Sequence, residues 1–117
     1  VILIEPTDQL IQFQQNLIDA VALFTVETGT AAAFFTTPED PDINQPTINY
    51  VATFVPNLTV EKFIPHFTIG LAPQDYLNKM LDEKFEAFTF SPVGASVYHL
   101  GNFGTAREKL KSWELGP

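Results

Sequence analysis

The chain has 117 residues, of which 45% are hydrophobic and 17% charged, and its fourteen acidic against six basic residues give a formal charge of −8. That length can bury one core, and that charge repels a polyphosphate chain instead of gathering it by counterion release, which excludes long nucleic acid as a partner. Cysteine is absent, which excludes disulfides, thiolate nucleophiles and cysteine-based zinc sites, and no apolar run approaches the roughly 20 residues that cross a bilayer.

Val1 to Ile4 is a short apolar, β-branched run closed by Glu5-Pro6 and predicts a strand. The chain opens without Met directly on this run, from which an N-terminal partner segment is expected. From Thr7 a helix is expected. Thr7 is placed to cap it, Asp8 faces the positive end of the dipole, and Leu10, Phe13, Leu17, Val21 and Phe24 recur at helical spacing. That stripe reads as core packing.

Gly29 ends the segment, and Thr30 to Thr37 predicts a strand weakened by its three alanines. Pro38 to Pro46 holds three prolines and three acids and reads as a solvated loop; its carboxylates match no ion-binding spacing. Ile48 to Val55 is rich in β-formers and predicts a strand ended by Pro56, and Phe63 to Leu71 predicts another. A second helix is expected from Pro73 to Lys84, with Tyr76, Leu77, Met80 and Leu81 inward. Phe85 to Phe90, Ala95 to Leu100 and Thr105 to Trp113 predict three strands, with Gly101-Asn102-Phe103-Gly104 turning the last pair into a hairpin. The expected fold class is α+β, one domain over residues 1–117, with two helices and a mainly antiparallel sheet. Nothing argues for export, so a cytoplasmic location is the default expectation.

Two histidines are available. His66 lies in Pro65-His66-Phe67-Thr68-Ile69-Gly70. In a strand, residues two apart share a face at roughly 6.5–7 Å, so His66 and Thr68 would present an imidazole beside a hydroxyl. The imidazole can exchange a proton near neutral pH, and the hydroxyl can donate to a non-bridging phosphate oxygen. As a bare tripeptide His-x-Thr is weak evidence, because a lone histidine is more often structural. His99, in Tyr98-His99-Leu100-Gly101, has leucine before a glycine where a second motif needs threonine, and reads as an exposed or edge-strand residue. Arg107 and Lys109 read as solvated charges.

The context of His66 carries more. A Pro-His-aromatic-Thr-Ile-Gly strand is followed by a helix and then by a hairpin reading Tyr98-His99-Leu100-Gly101-Asn102-Phe103-Gly104-Thr105. A strand and a long helix come before it. This order resembles the C-terminal half of the two-histidine (2H) phosphoesterases, the superfamily of 2′,5′ RNA ligase-like proteins and cyclic phosphodiesterases. The resemblance implies one lobe of a bilobal fold, with His66 as the catalytic histidine of the second His-x-Thr motif and Thr68 as its phosphate-binding threonine. It implies a metal-independent hydrolase that needs no cofactor and acts on a 2′,3′-cyclic phosphate or a 2′,5′-linked small nucleotide. The first motif is missing from these residues. A missing N-terminal lobe or another chain is therefore expected to complete the site, the fragment alone is expected to be inactive, and its uncovered apolar surface is expected to self-associate. Two other readings stay open. One is a degenerate module of the same fold that binds a nucleotide or phosphate without turnover. The other is an unrelated α+β domain in which His66 is a buried core residue.

Overall fold

The computed structural model describes residues 1–26 and 29–116. Strand β1 (Ile2–Leu3) ends before Pro6, and helix α1 (Asp8–Val21) starts where the sequence signals it, with the Thr7 hydroxyl accepting from the Leu10 amide at 3.2 Å. A 3-10 turn over Ala22–Phe24 finishes this helix.

The next stretch departs from expectation. Thr30 to Thr37 forms a 3-10 turn at Ala31–Ala33 and an isolated bridge from Thr37 to Asp40 instead of a strand. Ile48 to Val55, expected as a strand, lies in two helices, α2 (Gln45–Ala52) and α3 (Phe54–Asn57). The physical reason is the cap. Asn44 accepts the Thr47 amide at 2.8 Å through Oδ1, and Pro46 sits in the first turn with its φ already helical, so helix nucleation overrides the β-propensity of Ile48, Tyr50 and Val51. The expected loop over 38–46 therefore ends in the start of a helix.

Strand β2 (His66–Phe67) is two residues long, much shorter than the expected 63–71, and pairs antiparallel with β1 in the register Ile2↔Phe67 and Leu3↔His66. Helix α4 (Gln74–Leu81) follows Pro73, as expected. Phe85 to Phe90, expected as a strand, forms no regular element. The hairpin is correct in both arms: β3 (Gly94–Leu100) and β4 (Ala106–Glu114) pair antiparallel around a turn at Asn102–Gly104, with register shifts at Val97/Tyr98 and His99/Leu100.

The fold is thus α+β with only antiparallel pairing among the described residues. The two expected helices are four, and the expected single sheet is two separate two-stranded ones. Among the described residues no helix is long and apolar enough to cross a membrane.

The core is thin. Phe34 and Thr47, 8% and 5% exposed, are buried together with Pro65 and Gly101, while Phe13, Leu17, Val21 and Phe24 of the expected inward stripe remain between 40% and 84% exposed. The accessible surface is 9892 Å², against about 6,300 Å² for a compact monomer of 13.0 kDa. The radius of gyration is 16.4 Å, against about 13.4 Å for a compact domain of this length. The elements are in place, but the apolar faces of α1 and α4 have little packed on them.

Gly101 is one of the few tight positions. A Cβ there would lie 2.7 Å from Arg107 Cγ and 3.4 Å from the Phe35 carbonyl oxygen. Gly101→Ala would push Arg107 off the Phe35 ring, over which its guanidinium stacks at 5.4 Å. A loss of about 1–2 kcal/mol is expected, read as a lower urea midpoint with an unchanged slope.

Candidate functional site

His66 is held by a chain of local choices. Pro65 is buried and donates no amide; its carbonyl accepts the Ile4 amide at 2.9 Å, which fixes β2 against β1. The register then sets the faces. His66 stands opposite exposed Leu3, and Phe67 opposite half-buried Ile2 on the other face. His66 is solvent-exposed. That placement is incompatible with reading it as a buried core histidine.

The ring is also oriented. His66 Nδ1 lies 2.7 Å from the carbonyl oxygen of Ile64. A carbonyl only accepts, so Nδ1 carries the proton and the neutral ring presents its lone pair at Nε2. Among the described residues Nε2 has no hydrogen-bond partner. The arrangement is that of an imidazole with one nitrogen pinned by the backbone and the other offered to solvent as a proton acceptor.

Thr68 follows directly after the last residue of β2 and is exposed. Its hydroxyl makes no hydrogen bond among the described residues. The ladder that was expected to carry it stops at Phe67 because β1 offers only two residues to pair with.

His99 lies on an edge strand, as expected, and in addition has a partner outside the hairpin. It is half-buried, its Nε2 lies 2.9 Å from the Ala33 carbonyl oxygen, its ring meets Phe35 edge-on at 5.7 Å, and Nδ1 is 3.7 Å from Glu108 Oε2. His99 stands on an edge strand, since among the described strands β3 pairs only with β4, and through Nε2 it ties the 31–35 segment to the hairpin, while Nδ1 lies beyond hydrogen-bond distance of Glu108. Arg107 and Lys109 likewise do more than meet solvent: Arg107 stacks on Phe35 and approaches Asp40 Oδ2 at 3.9 Å, and Lys109 lies over Tyr98 at 5.8 Å.

A polar cluster around Asn102 escaped the sequence reading. Asn102 Oδ1 accepts from the Asn44 amide at 2.9 Å and from Asn44 Nδ2 at 3.0 Å, while its own Nδ2 donates to Asp40 Oδ1 at 3.0 Å and to the Asp42 carbonyl at 2.6 Å. Thr47 Oγ1 donates to Asn44 Oδ1 at 2.8 Å and accepts the Phe103 amide at 3.0 Å. One side chain thereby fastens the acidic loop to the hairpin turn. No local pattern announces contacts between residues about sixty apart in sequence.

Beside this cluster are two adjoining open hollows. One, of about 500 Å³, is lined by Asn44, Pro46, Thr47, Tyr50 and Phe103; the other, of about 420 Å³, shares Tyr50 and is lined also by Phe54, Val55 and Leu100. Both are mainly apolar, and His66 and Thr68 belong to neither. Phe103 is 85% exposed and sits at φ 60°, a left-handed backbone that costs a residue with a Cβ about 1–2 kcal/mol. Phe103→Gly is therefore expected to raise stability by about 1 kcal/mol, seen as a higher thermal midpoint.

Searches of protein-family models, curated proteins and solved structures find no match to this chain.

Proposed function

We propose that His66 and Thr68 are one half of a phosphoesterase site of the two-histidine kind, acting without a metal on a 2′,3′-cyclic phosphate or a 2′,5′-linked small nucleotide. The observation that carries the reading is the state of His66: exposed on a strand, with Nδ1 pinned to the Ile64 carbonyl and Nε2 free. A general base needs that tautomer, a fixed ring and access to substrate. The exposed Thr68 two residues on is suited to donate to a phosphoryl oxygen, and the Pro-His-Phe-Thr-Ile-Gly run is the part of the sequence that resembles the family.

The reaction calls for two proton-transfer groups on opposite sides of the phosphorus, one activating the attacking oxygen and one protonating the leaving oxygen. His66 can be one. His99 has its Nε2 tied to the Ala33 carbonyl and its ring against Phe35, and there is no third histidine in these residues, so on this reading the second group comes from a further lobe or another chain. The residues within this chain bind and orient half of the phosphate and move one proton at Nε2 of His66.

The test is turnover of a 2′,3′-cyclic nucleotide by the complete gene product, beside His66→Ala and beside residues 1–117 alone. Activity in the complete protein and its loss in both others supports the two-motif mechanism. A complete, folded protein that binds the nucleotide but never opens it favours the second reading, a phosphate-binding module. That reading has its own support in the single His-x-Thr of this chain.

A further inference from the structure

Pro65 is buried, while Ile64 and His66 on either side of it are exposed. The hydrogen bond that pins the His66 ring spans this proline: Nδ1 of residue 66 reaches back 2.7 Å to the carbonyl oxygen of residue 64.

Whether that carbonyl lies within reach of the ring is a matter of backbone torsions. The peptide bonds between the two residues are planar, so apart from the torsions of the histidine side chain only φ and ψ of Pro65 and φ of His66 are free. The pyrrolidine ring locks φ of Pro65 at about −65°. Its ψ turns the carbonyl that accepts the Ile4 amide at 2.9 Å, and His66 itself is paired opposite Leu3 in the ladder. Each torsion therefore has its own restraint, and the restraint on φ is covalent. Proline also brings no N–H, so burying it leaves no donor to satisfy.

The pin decides what the ring can do. A ring released from the carbonyl can carry its proton on either nitrogen, and only the form protonated at Nδ1 offers its lone pair at Nε2.

We propose that Pro65 is a positioning residue for His66: its locked φ aims the Ile64 carbonyl at Nδ1 and so sets which ring nitrogen stays basic and open. The effect on the ring stands on geometry alone; its use in proton transfer rests on the phosphoesterase reading.

The test reads the tautomer directly and needs no substrate. The chain has only two histidines, and His99 is the internal control, because its Nε2 lies 2.9 Å from the Ala33 carbonyl and is therefore the protonated nitrogen there. The nitrogen-15-labelled chain is held at about pH 8.5, above the ordinary titration range of imidazole. Long-range proton–nitrogen correlations should then show His66 with a protonated Nδ1 and a bare Nε2, and His99 with the reverse.

Pro65→Val keeps the apolar bulk but lets φ range over the broad extended region. It should bring the two His66 nitrogen resonances toward each other, the sign of mixed tautomers, and leave the His99 pattern unchanged. A role in packing alone would not move the ring in this way. Where valine disturbs His99, the smaller Pro65→Ala is read instead, with the same result expected.

A native His66 protonated at Nε2 or at both nitrogens in turn would overturn the proposal, and so would a folded variant whose His66 keeps its proton on Nδ1 alone. In an active complete gene product, kcat of the variant should fall with the fraction of rings still protonated at Nδ1, while KM stays nearly constant. An inert complete protein that shows the expected ring states would remove the phosphoesterase reading and leave the role of Pro65 standing.

Discussion

His66→Ala is expected to lower turnover of a 2′,3′-cyclic nucleotide by the complete gene product by about 10²–10⁴-fold, the range lost when one positioned proton-transfer group is removed. The loss should fall on kcat more than on KM, since the imidazole acts on a proton that moves in the transition state. A merely structural role is separable. His66→Asn keeps a donor near the Nδ1 position for the Ile64 carbonyl, 2.7 Å away in the native chain, but has no basic nitrogen where Nε2 stands. If the ring only fastens β2, asparagine restores activity; if it moves the proton, asparagine is as inactive as alanine. Thr68→Val removes a hydroxyl at constant shape. It should cost about 1.5–3 kcal/mol of phosphate binding, roughly ten- to a hundredfold, spread over both kinetic constants.

The largest loss of stability is expected at Asn102. Its side chain makes four hydrogen bonds, to the Asn44 amide, Asn44 Nδ2, Asp40 Oδ1 and the Asp42 carbonyl. Asn102→Ala removes all four, and each such bond nets about 0.5–1.5 kcal/mol, less where solvent can replace it, so about 2–3 kcal/mol is expected overall. Because so few side chains are buried, that is a large share of what holds the chain together. Denaturant titration reads the loss. Asn102→Asp is the sharper companion: it keeps the acceptor for Asn44 but sets a carboxylate 3.0 Å from Asp40 Oδ1, so it should destabilise most at neutral pH and recover in acid as the carboxyls protonate.

Local signals were legible where the chain decides locally. The Thr7 cap, Pro73 ahead of α4 and the glycine-flanked turn at 101–104 each act within a few residues, and the elements they mark are found with boundaries shifted by a residue or a few. Reading 45–57 as loop and strand failed because β-propensity was weighed over Ile48, Tyr50 and Val51, while the Asn44-Gln45-Pro46 cap was assigned to the loop before them. Strand 85–90 failed for the opposite reason. A strand exists only with a neighbour, and propensity cannot supply one. Of the proposed site, the identity of His66 and its place on a strand were readable, but its tautomer depends on the reach of its ring to the Ile64 carbonyl, and the engagement of His99 depends on Ala33, 66 residues away.

The Asn102 fastening also orders events in time. The β3–β4 hairpin closes over a short turn and can form in microseconds, whereas joining Asn44 to Asn102 closes a loop of 58 residues and must wait for both ends to be brought together. The acidic loop is thus among the last segments to find its place. By the same logic it is among the first to leave, so its two prolines at 38 and 41 mark a stretch that opens to solvent while the hairpin beside it is still intact.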